Sequence, residues 1–352
     1  MKTLTNQPLP VEIVFHPSWW HKHTGITFDE DFFYHPLKRV ESERRMEKEL
    51  YERFGEWGLG EDHDKDLPVI GAVHNAAGYI LSEMFGCGIR YAADEAPQVI
   101  CAKREDFNLD FEGAMNTLPI QRLKKLIEAL KGRYGYVCGD INWGGVLNIA
   151  LDLRDDTLLT DMMLYPEESE KYFQNIASVI EKFLRFIEAH TGTTSLSVNR
   201  IAKHLHPAVF IHSECTHTMI SEDLYETLLL PIDLKWSKTL RPFGIHYCGS
   251  DPHRYAGEFA KISKLAFLDV GWGGDVKLLR EKLPDTFFSI RLDPVTINHT
   301  PDEQLENIIR KLINDSGDQM LTGICCINMD GNTHDSKIRT IYRTVRELRI
   351  EN

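Results

Sequence analysis

His246 and Cys248 stand two residues apart in one apolar run, and Cys325 lies in a second such run far along the chain. In an extended strand the side chains of one face recur every two residues, so His246 and Cys248 project together and offer an imidazole nitrogen and a thiolate to a single ion. A third ligand must come from elsewhere, and Cys325 can supply it. Adjacent strand residues face opposite ways, so only one of Cys325 and Cys326 shares the face of His246. One imidazole and two thiolates suit zinc, and three protein ligands leave the fourth tetrahedral position open, as catalytic zinc requires. Cysteine is also a common core filler, so spacing alone leaves packing as the alternative. Cys215, just after Glu214, is another candidate thiol near the mouth, though it reads more readily as a core or loop residue.

Such ligands need strands to hold them. Strand-like runs recur at 11–15, 67–73, 135–139, 209–213, 243–248, 265–270, 287–292 and 321–327, with helical segments between most of them. The clearest helix starts near Pro166 and carries Tyr172, Phe173, Ile176, Val179, Ile180, Phe183 and Ile187 on one stripe. Another opens on Thr300-Pro301-Asp302-Glu303, which reads as a capping box, and the last carries Ile338, Ile341, Tyr342, Val345 and Leu348. Alternation of strand and helix predicts an α/β fold with a parallel sheet, and eight repeats predict closure into a (β/α)8 TIM barrel. That barrel would be one domain over residues 1–352, with 1–66 forming the first strand and a helical, aromatic N-terminal extension and 67–352 the remainder. An open doubly wound sheet is the rival.

Barrels of this kind keep their active sites at the C-terminal ends of the strands. The polar residues found there are His16, His74, Asp140, Glu214, His246 with Cys248, Asp269, Arg291 with Asp293, and Cys325. Glu214, Asp269 and His74 are the candidates for catalytic work, and His16, Trp19, Asp140 and Arg291 for binding substrate or cofactor. Singly, each reads as a satisfied core or loop residue. Their recurrence at one strand end after another is what points to a site.

A net charge of −13 argues against a broad nucleic-acid or anionic-membrane surface and for small-molecule or protein partners. No apolar run approaches a membrane span, and Pro8 and Pro10 break the N-terminal stretch that a secretory signal would need. Seven cysteines, an odd number without framework spacing, fit a reducing compartment, so a cytoplasmic location is expected.

The motif His246-x-Cys248-Gly249 followed by Cys325, with Leu292-Asp293-Pro294 between them and Met219-Ile220-Ser221-Glu222 upstream, resembles the uroporphyrinogen decarboxylase superfamily. The resemblance is specifically to its zinc-dependent, corrinoid-linked methyltransferase branch; it is firmest over 209–348 and weak before Leu67. It implies a TIM barrel in which the His, the first Cys and the distant Cys hold catalytic zinc, which selects Cys325 over Cys326. Asp269 or Glu214 would then be a fourth ligand, or Glu214 the partner that orients His246.

The resemblance also implies a reaction: methyl transfer between methylcobalamin and a zinc-activated thiol. The opposite direction takes the methyl group from a methoxylated donor to cob(I)alamin, with Trp19, Trp20, Phe32, Phe33 and Tyr34 as an aromatic wall for the donor or, in the blander reading, a packed cap. The chain has no Asp-x-His-x-x-Gly motif, so the corrinoid is expected on a partner protein, and Gly271-Trp272-Gly273-Gly274 is a cradle for its edge or a flexible turn. Tetrapyrrole decarboxylation fares worse, because residues 16–23 hold no arginine to clamp substrate carboxylates. A reading from another class makes the zinc a structural staple in a binding protein without turnover, which calls for four protein ligands.

Overall fold

The computed structural model describes residues 4–62, 66–71, 79–139, 144–192, 205–240 and 242–350. Its strands are β1 (Val11–Phe15), β2 (Gly88–Arg90), β3 (Gln98–Ile100), β4 (Phe210–Glu214), β5 (Phe243–Tyr247), β6 (Leu265–Val270), β7 (Phe287–Leu292) and β8 (Thr322–Met329). β2 and β3 form a small antiparallel pair of their own, and the other six make one parallel sheet in the order β1-β8-β7-β6-β5-β4. These six are apolar almost throughout because both faces are covered, as in parallel sheets generally.

The first strand lying beside the last is the neighbour relation of a barrel. Two further expected runs also meet: Val69 bridges Cys138 in parallel, the Ile70 amide donates to the Cys138 carbonyl at 2.9 Å, and the Cys138 amide donates to Pro68 at 3.0 Å. Neither run is joined to the six-stranded sheet among the described residues. A cavity of about 790 Å³, lined in part by Val11–Phe15, Leu67 and Val69, lies between β1 and the first of them. The structure therefore shows an α/β fold with six parallel strands in barrel order.

Helices cover the outer face. The one expected near Pro166 runs over Pro166–Thr191, with proline in its first turn, Glu167 and Glu168 beside the positive end of its dipole, and Gly192 at φ 75° closing it. Every residue of its expected stripe is buried. The expected capping box is not formed. Helix Asp302–Ser316 has Pro301 at its N-cap and no capping side chain, while Asp302 bonds Lys337 and Thr340 of helix Asp335–Ile350.

The N-terminal aromatics are cap, not wall. Trp19 and Phe32 are fully buried, and Trp20 and Phe33 nearly so. The Trp19 ring lies 4.1 Å from Phe15 and 4.8 Å from Trp20, with the Arg53 guanidinium over it, so the expectation that Trp19 binds substrate is overturned by its packing. Among the described residues no helix is long and apolar enough to cross a membrane.

Candidate metal centre

The register between parallel strands decides which side chains share a face. Ser213, His246, Asp269, Ser289 and Gly323 align across β4 to β8, and Arg291 aligns with Cys325 two residues further on. Two steps beyond Ser213 and His246 come Cys215 and Cys248. Alternation therefore brings Cys215, His246, Cys248, Asp269, Arg291 and Cys325 to one face, near the C-terminal ends of the strands. Val14 and Ile327 pack against Cys325 on that face, whereas Cys326 belongs to the core beneath the helices.

Three of these groups converge. The thiols of Cys215 and Cys248 and a ring nitrogen of His246 all lie within 4.8 Å of one another. His246 is fully buried, and its Nδ1 meets Asp269 Oδ2 at 2.5 Å. A carboxylate accepts the Nδ1 proton and leaves Nε2 as the lone-pair nitrogen, the tautomer a metal ligand needs. Burial lowers the His246 pKa, but Asp269 outweighs it and the net shift is upward, making the ring a more basic donor.

The arrangement fits zinc. Zn–S of ~2.3 Å and Zn–N of ~2.0 Å at a tetrahedral angle place sulfur and nitrogen about 3.5 Å apart, close to the 3.6 Å between Cys215 Sγ and His246 Nε2. The hydrogen bond from the Cys215 thiol does most to lower the Cys248 pKa against the opposing effect of burial, and the Arg291 charge adds to it, so Cys248 is the thiolate of the pair. Arg291 is 8% exposed, and its Nη1 donates to the same His246 Nε2 at 3.4 Å; Asp269 and the surrounding sulfurs keep it charged although burial works against the charge.

Cys325 is fully buried on this face beside Arg291 but stands outside the close trio, and burial pushes its pKa well up. Glu214 is placed differently from expectation. It aligns with Tyr247, on the face opposite His246, and its carboxylate accepts from the Leu147 amide at 2.7 Å and pairs with His212 at 3.1 Å. It is therefore neither a fourth ligand nor the orienter of His246; Asp269 is the orienter. His16 caps helix Pro17–Thr24 through Ser18 and approaches Glu95 at 3.3 Å. His74 and Asp140 lie outside the described residues.

The glycine run after β6 makes a turn in which the Gly274 amide donates to Gly271 at 3.2 Å. A Cβ on Gly271 would sit 1.7 Å from the Gly249 carbonyl, so this turn packs directly on the loop that carries Cys248. Replacing Asp269 with asparagine is expected to weaken zinc binding about 10- to 100-fold, as loss of a ligand's hydrogen-bond partner generally does. Competition against a calibrated chelator measures this, and an unchanged affinity would deny Asp269 its orienting role.

No family model matches the chain, and no curated protein matches it. Among solved structures, a methyltransferase from Methanosarcina mazei superposes with a TM-score of 0.65 at 13% identity, over 97% of this chain and 94% of that one. That likeness is one of fold. A B12-independent methionine synthase from Shewanella sp. W3-18-1 in complex with selenomethionine gives a TM-score of 0.48 at 13% identity, over 99% and 97%, too distant to argue from.

Proposed function

We propose that the chain is a zinc-dependent methyltransferase that moves a methyl group between methylcobalamin, carried by a corrinoid protein, and a thiol acceptor. The observation that carries this reading is the meeting of Cys215, His246 and Cys248 at the C-terminal ends of a parallel sheet, with Asp269 behind the imidazole. His246 Nε2 and Cys248 would hold the zinc together with Cys325, the interior-facing member of the Cys325-Cys326 pair. Zinc held by two thiolates and a neutral imidazole lowers the pKa of an incoming thiol yet leaves its sulfur electron-rich and nucleophilic.

The protein's own groups prepare the site. Asp269 keeps the Nδ1 proton and aims Nε2, while Arg291 sets a fixed positive charge where a thiolate would develop. Phe267 and Phe287, packed with Val209 and Ile211, fill the sheet nearer its N-terminal end and exclude water from that side. Closure into eight strands belongs to the same proposal, with runs 67–73 and 135–139 completing the circle between β1 and β4. The fold shared with the Methanosarcina mazei methyltransferase agrees with this reading. Demethylation of a methoxylated ring is less well supported, since the rings offered for its wall are packed in the cap.

Anaerobic incubation of the zinc-loaded protein with methylcobalamin and a panel of small thiols is expected to give cob(I)alamin and the methyl thioether in equal amounts. Dialysis against chelator should abolish the product and added zinc restore it. No thioether from any thiol, with zinc confirmed in the protein, would reject the reaction.

A further inference from the structure

We propose that Cys215 is a fourth, exchangeable zinc ligand, which occupies the substrate's coordination position in the resting protein and yields it to the incoming thiol. This rests on the zinc reading above and adds a resident occupant to the position that reading leaves open. The Cys215 sulfur stands at tetrahedral-edge distance from His246 Nε2 and within 4.8 Å of Cys248 Sγ. With Cys325 the donor set becomes three sulfurs and one imidazole, a closed shell of the kind that structural sites have. Turnover then requires one ligand to leave.

Exposure singles out which. Cys325 is fully buried and Cys248 partly so, whereas Cys215 is the one of the three residues at the protein surface. The chain on either side of it is pinned. The Glu214 carboxylate holds the Leu147 amide, and the Thr216 amide and hydroxyl both donate to Asn148 Oδ1, at 3.2 and 2.7 Å, in helix Val146–Arg154. Departure of Cys215 therefore needs rotation of its own side chain, not opening of a loop. The exchange balances without any further reactant: one metal–sulfur bond breaks as another forms, and the proton of the incoming thiol passes to the Cys215 sulfur.

X-ray absorption at the zinc edge counts the sulfurs, with 2-mercaptoethanol as the probe thiol. The wild type is expected to show three sulfurs with or without the probe. Cys215→Ser, with Cys215→Ala as a second variant, should keep its zinc, show two sulfurs at rest and regain the third when the probe is added. Because a position open about a tenth of the time binds about 10-fold more weakly, both variants should bind the probe about 10-fold more tightly than the wild type. An equal sulfur count in wild type and variants without the probe, or variants that hold no zinc, would overturn the proposal. A wild type that takes up no zinc would instead defeat the zinc reading itself, so the two failures are distinguishable.

Discussion

Replacing Cys248 with serine is expected to empty the metal centre and to cut methyl transfer at least about 1000-fold, the factor that goes with losing ~4 kcal/mol of transition-state stabilisation. The effect should be the largest of any single change in the site. Cys248 is the sulfur on which the other contacts converge: it accepts from Cys215, it neighbours His246, and those contacts hold it as thiolate. A serine hydroxyl keeps the size but gives neither the thiolate charge nor a soft donor at neutral pH. His246→Gln should behave alike, since its amide cannot both receive Asp269 support and offer a ring lone pair. The measurement is zinc per chain after dialysis against a chelator, beside the transfer rate. Full zinc occupancy in Cys248→Ser would remove this residue from the ligand set.

Much of the frame could be read from residue order alone, because strands buried on both faces are written as unbroken apolar runs and amphipathic helices as stripes. The run at 11–15 coincides with β1, and the other five strands of the main sheet lie within a residue or two of expectation. The pairing of His246 with Cys248 was legible for the same reason, since alternation is local. The importance of Cys215 was not. Its place depends on the register that sets Ser213 opposite His246, a tertiary quantity that periodicity does not carry. The same register turns Glu214 away from the site, so two neighbouring residues exchanged the parts expected of them. Trp19 misled because an aromatic side chain is as well suited to a core as to a binding wall, and only packing around Phe15 and Phe54 distinguishes them.

Beneath that misplaced glutamate lies a polar chain that sequence reasoning did not find. His212 Nδ1 meets Asp233 Oδ1 at 2.6 Å, Tyr225 donates to the other Asp233 oxygen at 2.6 Å, and Glu214 stands 3.1 Å from His212 Nε2, all fully buried. The Val146 amide also approaches Nε2 at 3.2 Å, a bond that only a neutral ring could accept. Two carboxylates against one amide decide for the imidazolium. Burial pulls the His212 pKa down, but Asp233 and then Glu214 overcome it and raise it to about 9.

A raised histidine pKa stabilises the fold fully below the unfolded value, near 6.5, and that contribution is lost as pH climbs through about 9. The span corresponds to about 3 kcal/mol of unfolding free energy. Wild-type protein should therefore lose roughly this amount between pH 6.5 and 9.5 in urea titrations, beyond whatever its other groups contribute. Asp233→Asn removes one of the two carboxylates that hold the buried His212 imidazolium, and breaking such a pair costs about 3–5 kcal/mol. It should be less stable by about that much at pH 6.5 and far less sensitive to pH above it, so the gap between the two proteins narrows as pH rises. Parallel curves for wild type and variant would mean that His212 is neutral in the folded protein, with the Val146 amide as its true partner at Nε2. The Leu147 and Asn148 contacts that pin Cys215 to helix Val146–Arg154 would stand in either case.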